Sequence, residues 1–196
     1  MQLKIYQIDA FTSTIFKGNS AAVIILDEWL EVEMMQSIAI NNNLSETAFA
    51  KKCDESTYEI RWFSPITEID FCGHATLATA FVLFKENILL KEVIFIAKAV
   101  GSLKVSQLDD GYIEMIFPNR KPQKVDNIPQ ELKKGLSIEP KDVLVNQQTY
   151  FVVYPNEEDV YNVQVNLDEI KKLDPLDVTI TAKSKEYDFI TRYFWP

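Results

Sequence analysis

The run from Ala75 to Phe84 restricts the fold more than any other feature of this chain. Ala75, Leu77, Ala78, Ala80, Phe81, Val82, Leu83 and Phe84 leave no polar side on a helix spanning about His74 to Lys85. A helix that is apolar around its whole circumference has to be enclosed by other elements. The segments around it read as strands. Tyr58, Ile60 and Trp62 alternate with Glu59, Arg61 and Phe63, the period of a strand with one buried face. Leu3–Ala10, Ala21–Leu26, Ser45–Lys51, Val93–Ala97 and Leu103–Val105 read the same way, and Asp110-Gly111 marks a hairpin turn into Tyr112–Phe117. The expected architecture is α+β, with strands wrapped about one central helix.

Composition narrows the classes of function. In 196 residues, 20 Lys and Arg stand against 29 Asp and Glu, a net charge of −9. That balance gives no surplus for neutralising phosphates or an anionic membrane surface, so neither a nucleic acid nor a membrane is the expected partner. No apolar run approaches the roughly 20 residues of a membrane span. The N-terminus shows no signal-peptide pattern, and a soluble, reduced, cytoplasmic protein is the default expectation. Two cysteines, Cys53 and Cys72, cannot build a disulfide framework, and a single histidine, His74, excludes every two-histidine metal motif. No metal site is expected. With 5 glycines and no Gly-x-Gly-x-x-Gly, no standard nucleotide loop can be built.

The chain divides into an N-terminal lobe over residues 1–118, a Pro-, Lys- and Gln-richer linker over 119–140, and a second region over 141–196. A helix over Glu31–Ala39, a strand over Glu46–Lys51 and an aromatic strand closing in Phe63-Ser64-Pro65 have a counterpart later. There, a helix over Leu167–Leu173, behind Asn166 as a cap, is followed by a strand over Val178–Ala182 and an aromatic strand closing in Phe194-Trp195-Pro196. This weak repeat predicts two pseudo-symmetric lobes; chance similarity of short strands is the competing reading.

Three places could carry chemistry. Glu46 lies among apolar and small residues at a strand start. Partial desolvation there should raise its pKa toward the range of a general base, unless it is a solvated strand-end carboxylate. In Cys72-Gly73-His74-Ala75-Thr76, glycine would let the chain turn tightly into the helix, whose free first-turn N–H groups could hold a carboxylate or a developing enolate. His74 is a hydrogen-bond donor, a proton shuttle or a helix-start cap. Cys72 is a nucleophile, a one-proton acid/base or inert packing. In Gly18-Asn19-Ser20-Ala21-Ala22, Asn19 holds a ligand or serves the turn.

Asp9-Ala10-Phe11-Thr12, Gly18-Asn19-Ser20-Ala21-Ala22-Val23, Leu44-Ser45-Glu46-Thr47-Ala48-Phe49 and Cys72-Gly73-His74-Ala75-Thr76-Leu77-Ala78 occur together in this order. With them the chain resembles the PhzF-like, phenazine-biosynthesis isomerase/epimerase family. Asp188–Pro196 extends the resemblance over essentially the whole chain. The resemblance implies a diaminopimelate-epimerase-like fold, two lobes each wrapping a barrel-like sheet around a central helix with the active site between them. It implies a cofactor-independent isomerase, a small-molecule carboxylate substrate and a homodimer. It implies Glu46 as the proton-transferring carboxylate, with Gly73, His74, Ala75, Asn19 and Ser45 at the substrate and Cys72 as a secondary candidate. Family members continue past the second aromatic strand into an acidic, Gly-containing motif and a second central helix. The second lobe is therefore expected to be incomplete and to expose apolar edges. A shortened, inactive member acting as a binding or structural protein is the alternative expectation.

Overall fold

A computed structural model describes residues 2–117 and 119–195. The chain forms two compact units, Met1–Phe117 and Pro118–Pro196. Pro118, the expected end of the first lobe, and Pro196, the end of the second Phe-x-Pro closure, lie outside the described residues.

In the first unit the strands are β1 (Tyr6–Ala10), β2 (Asn19–Leu26), β3 (Glu46–Lys52), β4 (Thr57–Phe63), β5 (Glu68–Ile69), β6 (Glu92–Ala97), β7 (Gly101–Gln107) and β8 (Ile113–Met115). The helices are α1 (Val32–Asn42) and α2 (Gly73–Glu86). The sheet runs β1-β2-β3-β4-β6-β7-β8, with β5 paired to β4. Helix α2 packs on β1, β2 and β3 at one end of this order and on β7 and β8 at the other, so the sheet curls around it. Trp62, Phe95, Val23, Ala48 and Ala50 meet Ala75, Ala78, Val82 and Phe84 in the main core. On the opposite face, α1 places Met35 and Ala39 against Ile24, Phe49 and Phe63. The period-two pattern of β4 thus serves both faces: Ile60 and Trp62 turn to α2, and Phe63 turns to α1.

The enclosure of α2 is not complete. Phe81 stays 42% exposed, and Leu77 is half-buried beside it. Leu77, Ala78 and Phe81 form one wall of a cavity of about 750 Å³ that also touches Phe11, Tyr112 and Met115. The buried hydroxyls of Thr76 and Thr79 donate to the carbonyls of Cys72 (2.6 Å) and Ala75 (2.7 Å), so neither leaves a polar group unsatisfied in the core. Asn43 ends α1 in the left-handed region at φ 51, a conformation asparagine tolerates better than most residues.

The second unit contains β9 (Gln123–Lys124), α3 (Gln130–Gly135), β10 (Asp142–Val145), β11 (Thr149–Val153), α4 (Glu157–Asn162), α5 (Leu167–Ile170), β12 (Asp177–Ala182) and β13 (Ile190–Phe194). Its sheet runs β13-β12-β11-β10-β9. The 119–140 stretch read as a linker carries β9 and α3, and Leu132 and Leu136 belong to the second core with Val152, Ile170 and Ile180. Its polar composition is that of a short helix with one inward side. The Asn166 side chain accepts from the Asp168 N–H at 3.1 Å, as a cap should, although α5 closes by Ile170. Helix α4, capped by Asn156 accepting from the Asp159 N–H at 2.9 Å, has no counterpart in the sequence reading. Only Val160 of its residues is buried, too little to make a periodic signal.

The two units share a strand grammar. In the first, β1–β2 is antiparallel, β2–β3 parallel and β3–β4 antiparallel. In the second, β10–β11 is antiparallel, β11–β12 parallel and β12–β13 antiparallel. The parallel step is bridged by helix each time, α1 in the first unit and α4 with α5 in the second. Among the described residues, no helix is long and apolar enough to cross a membrane.

Candidate active site

Strands β2 and β3 run parallel with Ala21 beside Glu46, which sets Glu46 at the first position of β3. Alternation along β3 sends Glu46 to the same face as Ala48 and Ala50, toward α2. Helix α2 starts there, with Cys72 as its N-cap in an extended conformation, and its first backbone bond runs from the Thr76 N–H to the Cys72 carbonyl. The N–H groups of Gly73, His74 and Ala75 therefore precede the first intrahelical bond.

His74 Nε2 lies 3.1 Å from Glu46 Oε2, and both side chains are largely buried, at 12% and 16% exposure. On its other side, His74 Nδ1 lies 3.2 Å from the Cys72 sulfur. Ser45 Oγ is 3.4 Å from His74 Nε2 and donates its own proton to the Ser20 carbonyl at 3.1 Å. The ring nitrogen Nε2 is within reach of both Ser45 Oγ and the Glu46 carboxylate. Glu46 Oε2 is buried beside His74 without an aligned hydrogen-bond donor among the described residues.

Burial acts to raise the Glu46 pKa, as expected from its neighbours. The polar His74 and Ser45 side chains close by, the charge of the imidazole and the Cys72 thiol outweigh it, and the net value falls below the ordinary one. The expectation of a raised pKa is therefore corrected: Glu46 is a carboxylate already ionised below neutral pH. The Cys72 thiol is pushed up to about 12, first by burial and then by the Glu46 charge, against the backbone N–H groups of Ala75 and His74. Cys72 is a protonated thiol near neutral pH, which disfavours a nucleophilic role.

Glu46, Cys72 and His74 each offer a ligand atom, all within 4.8 Å of one another, and their donor types suit zinc. The imidazole, however, faces Cys72 with Nδ1 and Glu46 with Nε2. One ion would take the ring through a single nitrogen and displace one of these contacts.

The structure therefore brings together Glu46, His74, Cys72 and Ser45. Asn19 begins β2 as an exposed residue two positions before Ala21, at the same end of the sheet. Gly73 does not have a positive φ, so no tight turn requires glycine there. A Cβ at Gly73 would make ordinary contact with the Phe71 and Phe117 rings at 3.9–4.0 Å, so sterics do not demand glycine there either. Gly18 is different: a Cβ there would stand 2.3 Å from the Ala10 carbonyl oxygen. Two supporting residues escaped the sequence reading of roles. The Ser20 carbonyl anchors Ser45, and Ser20 in turn donates its hydroxyl proton to Asp9, which also accepts from the Phe16 N–H at 2.8 Å. The Asp9-Ala10-Phe11-Thr12 motif is the sequence signal for Asp9.

The curled α+β sheet around a helix is the diaminopimelate-epimerase-like fold. A hydroxyproline epimerase from Agrobacterium vitis, 8% identical, superposes with a TM-score of 0.57 over 99% of this chain and 70% of its own, a likeness of fold alone. Closer similarities narrow the assignment. The sequence matches the phenazine biosynthesis-like protein family, PhzC-PhzF, over residues 8–196. An uncharacterized isomerase of Pseudomonas aeruginosa is 40% identical over 196 residues, covering 100% of this chain and 74% of that protein. The crystal structure of a PhzF-family protein from Enterococcus faecalis is 39% identical, with a TM-score of 0.92 over 100% of this chain and 74% of that one. The chain belongs to the PhzC-PhzF, phenazine biosynthesis-like family.

Proposed function

We propose that this protein is a cofactor-independent isomerase or epimerase that moves a proton next to a carboxylate-bearing carbon of a small molecule. The observation that carries this reading is Glu46 Oε2: a buried carboxylate oxygen without a hydrogen-bond donor among the described residues, 3.1 Å from His74 Nε2 at the start of α2. A free acceptor of this kind can take a proton from carbon. The depressed pKa makes Glu46 a weak base, available over a broad pH range and dependent on its surroundings to stabilise what it generates. Those surroundings are the first-turn N–H groups of Gly73, His74 and Ala75, where the positive end of the α2 dipole favours a substrate carboxylate and the negative charge that builds on it as the proton leaves. His74 Nε2 and Ser45 line the same spot and orient Glu46.

The test is exchange of a substrate C–H with deuterium from solvent, followed by mass spectrometry over a panel of cyclic and acyclic small carboxylates. Glu46→Gln keeps the shape and removes the base, and should slow exchange at least about 100-fold. Exchange at the wild-type rate in that variant would remove Glu46 from proton transfer.

A further inference from the structure

The geometry points to Cys72 as a positioning residue that fixes His74 in the tautomer protonated at Nε2. This inference rests on the proposed function only for its catalytic meaning; the tautomer itself is set by contacts within the first unit.

Each end of the imidazole argues for the same assignment. At Nε2, a carboxylate oxygen stands 3.1 Å away. A bare lone pair on Nε2 would face the lone pairs of an anion, so this nitrogen carries the proton. Ser45 agrees, because its hydroxyl proton is committed to the Ser20 carbonyl and its oxygen is left to accept from Nε2. At Nδ1, the neighbour is the Cys72 sulfur at 3.2 Å. Burial and the Glu46 charge keep that thiol protonated, so it has a proton to give and Nδ1 is the acceptor. The contacts then run Cys72 S–H to Nδ1, Nε2–H toward Ser45 and Glu46, and Ser45 O–H to the Ser20 carbonyl, with Glu46 close to both the thiol and the hydroxyl.

The arrangement gives a thiol a task that does not need its nucleophilicity. A histidine's working nitrogen is selected by the partner on its other nitrogen, most often a carbonyl or a carboxylate. A carboxylate at Nδ1 would draw the ring toward the protonated form and add a second negative charge beside Glu46. A neutral S–H sets the tautomer without adding charge. Nε2–H then meets Glu46 as a neutral dipole that holds the carboxylate in place and leaves it a base.

His74 is the only histidine in the chain. Protein labelled with ¹⁵N-histidine therefore gives one pair of ring nitrogens in a two-bond ¹H–¹⁵N correlation spectrum, with no substrate required. In the wild type, at a pH where the ring is neutral, the expected pattern is a protonated Nε2 and an unprotonated Nδ1 with widely separated shifts. Cys72→Ala should draw the two shifts toward each other as the second tautomer becomes populated. Cys72→Ser, which restores a neutral donor, should separate them again. A wild-type ring protonated at Nδ1, or a Cys72→Ala spectrum identical to wild type, would overturn the assignment. If Cys72→Ala does not fold, the wild-type and Cys72→Ser spectra decide, since both must show the Nε2-protonated pattern. Deuterium exchange with Glu46→Gln probes the catalytic reading separately, so either conclusion can fail alone.

Discussion

Adding one methyl group to Gly18 and to Gly73 should have opposite results. At Gly18 the new carbon would lie 2.3 Å from the Ala10 carbonyl oxygen and 2.6 Å from Thr12 Cγ2. The first is backbone in a paired strand and cannot swing aside. The loop between β1 and β2 has little slack, because Phe11 and Phe16 already sit at positive φ and Asp9 holds both the Phe16 N–H and the Ser20 hydroxyl. Forcing an atom into such a site costs about 1–3 kcal/mol. For a unit of this size, that lowers the melting temperature by about 4–12 °C. At Gly73 the same methyl meets only the Phe71 and Phe117 rings at 3.9–4.0 Å, ordinary contact distances, and alanine is the better helix former by up to about 1 kcal/mol. Gly73→Ala should therefore melt at or slightly above the wild-type temperature. Thermal unfolding followed by circular dichroism reads both. A Gly18→Ala protein melting within about 1 °C of wild type, or a Gly73→Ala protein falling as far as Gly18→Ala should, would refute the steric reasoning.

Two further substitutions address other parts of the chain. Leu132→Ala, at a fully buried side chain in the 119–140 stretch, should cost about 2–5 kcal/mol in urea denaturation, whereas a linker residue would cost almost nothing. Asp9 has its pKa lowered by the Ser20 hydroxyl and then by the Phe16 N–H, so its contribution to stability is present above the ordinary value of 3.8 and lost as pH falls through the lower folded value. The melting temperature of Asp9→Asn should accordingly lie below wild type at neutral pH and converge with it as the solution is acidified; parallel curves would remove Asp9 from the loop's support.

The parts of this fold that could be read in the sequence were those where many side chains repeat one instruction. Tyr58, Ile60 and Trp62 announce a strand, and the apolar circumference from Ala75 to Phe84 announces a helix inside a sheet. The parts that could not be read depend on few residues or on partners distant in sequence. Leu132 and Leu136 are lost among the exposed Lys, Pro and Gln residues around them, and Val160 alone cannot mark α4. At the site, desolvation of Glu46 followed from its apolar neighbours. Its net pKa did not, because the opposing imidazole arrives from 28 positions further along the chain. The sequence showed Cys72 and His74 as neighbours, while the fact that they meet through Nδ1 depends on how α2 begins.

The small residues of α2 have a consequence beyond filling space. Ala75, Ala78 and Ala80 allow the helix backbone to lie close to the sheet, and the same helix carries His74 at its first turn while the sheet carries Glu46. The thickness of the alanine layer is thus a spacer that sets the gap between two groups 3.1 Å apart. Enlarging a side chain in that layer would widen the gap in the way a shim spreads a joint. If the proposed proton transfer takes place here, its geometry is therefore set in part by Ala78 and Ala80, core side chains beyond the first turn of α2.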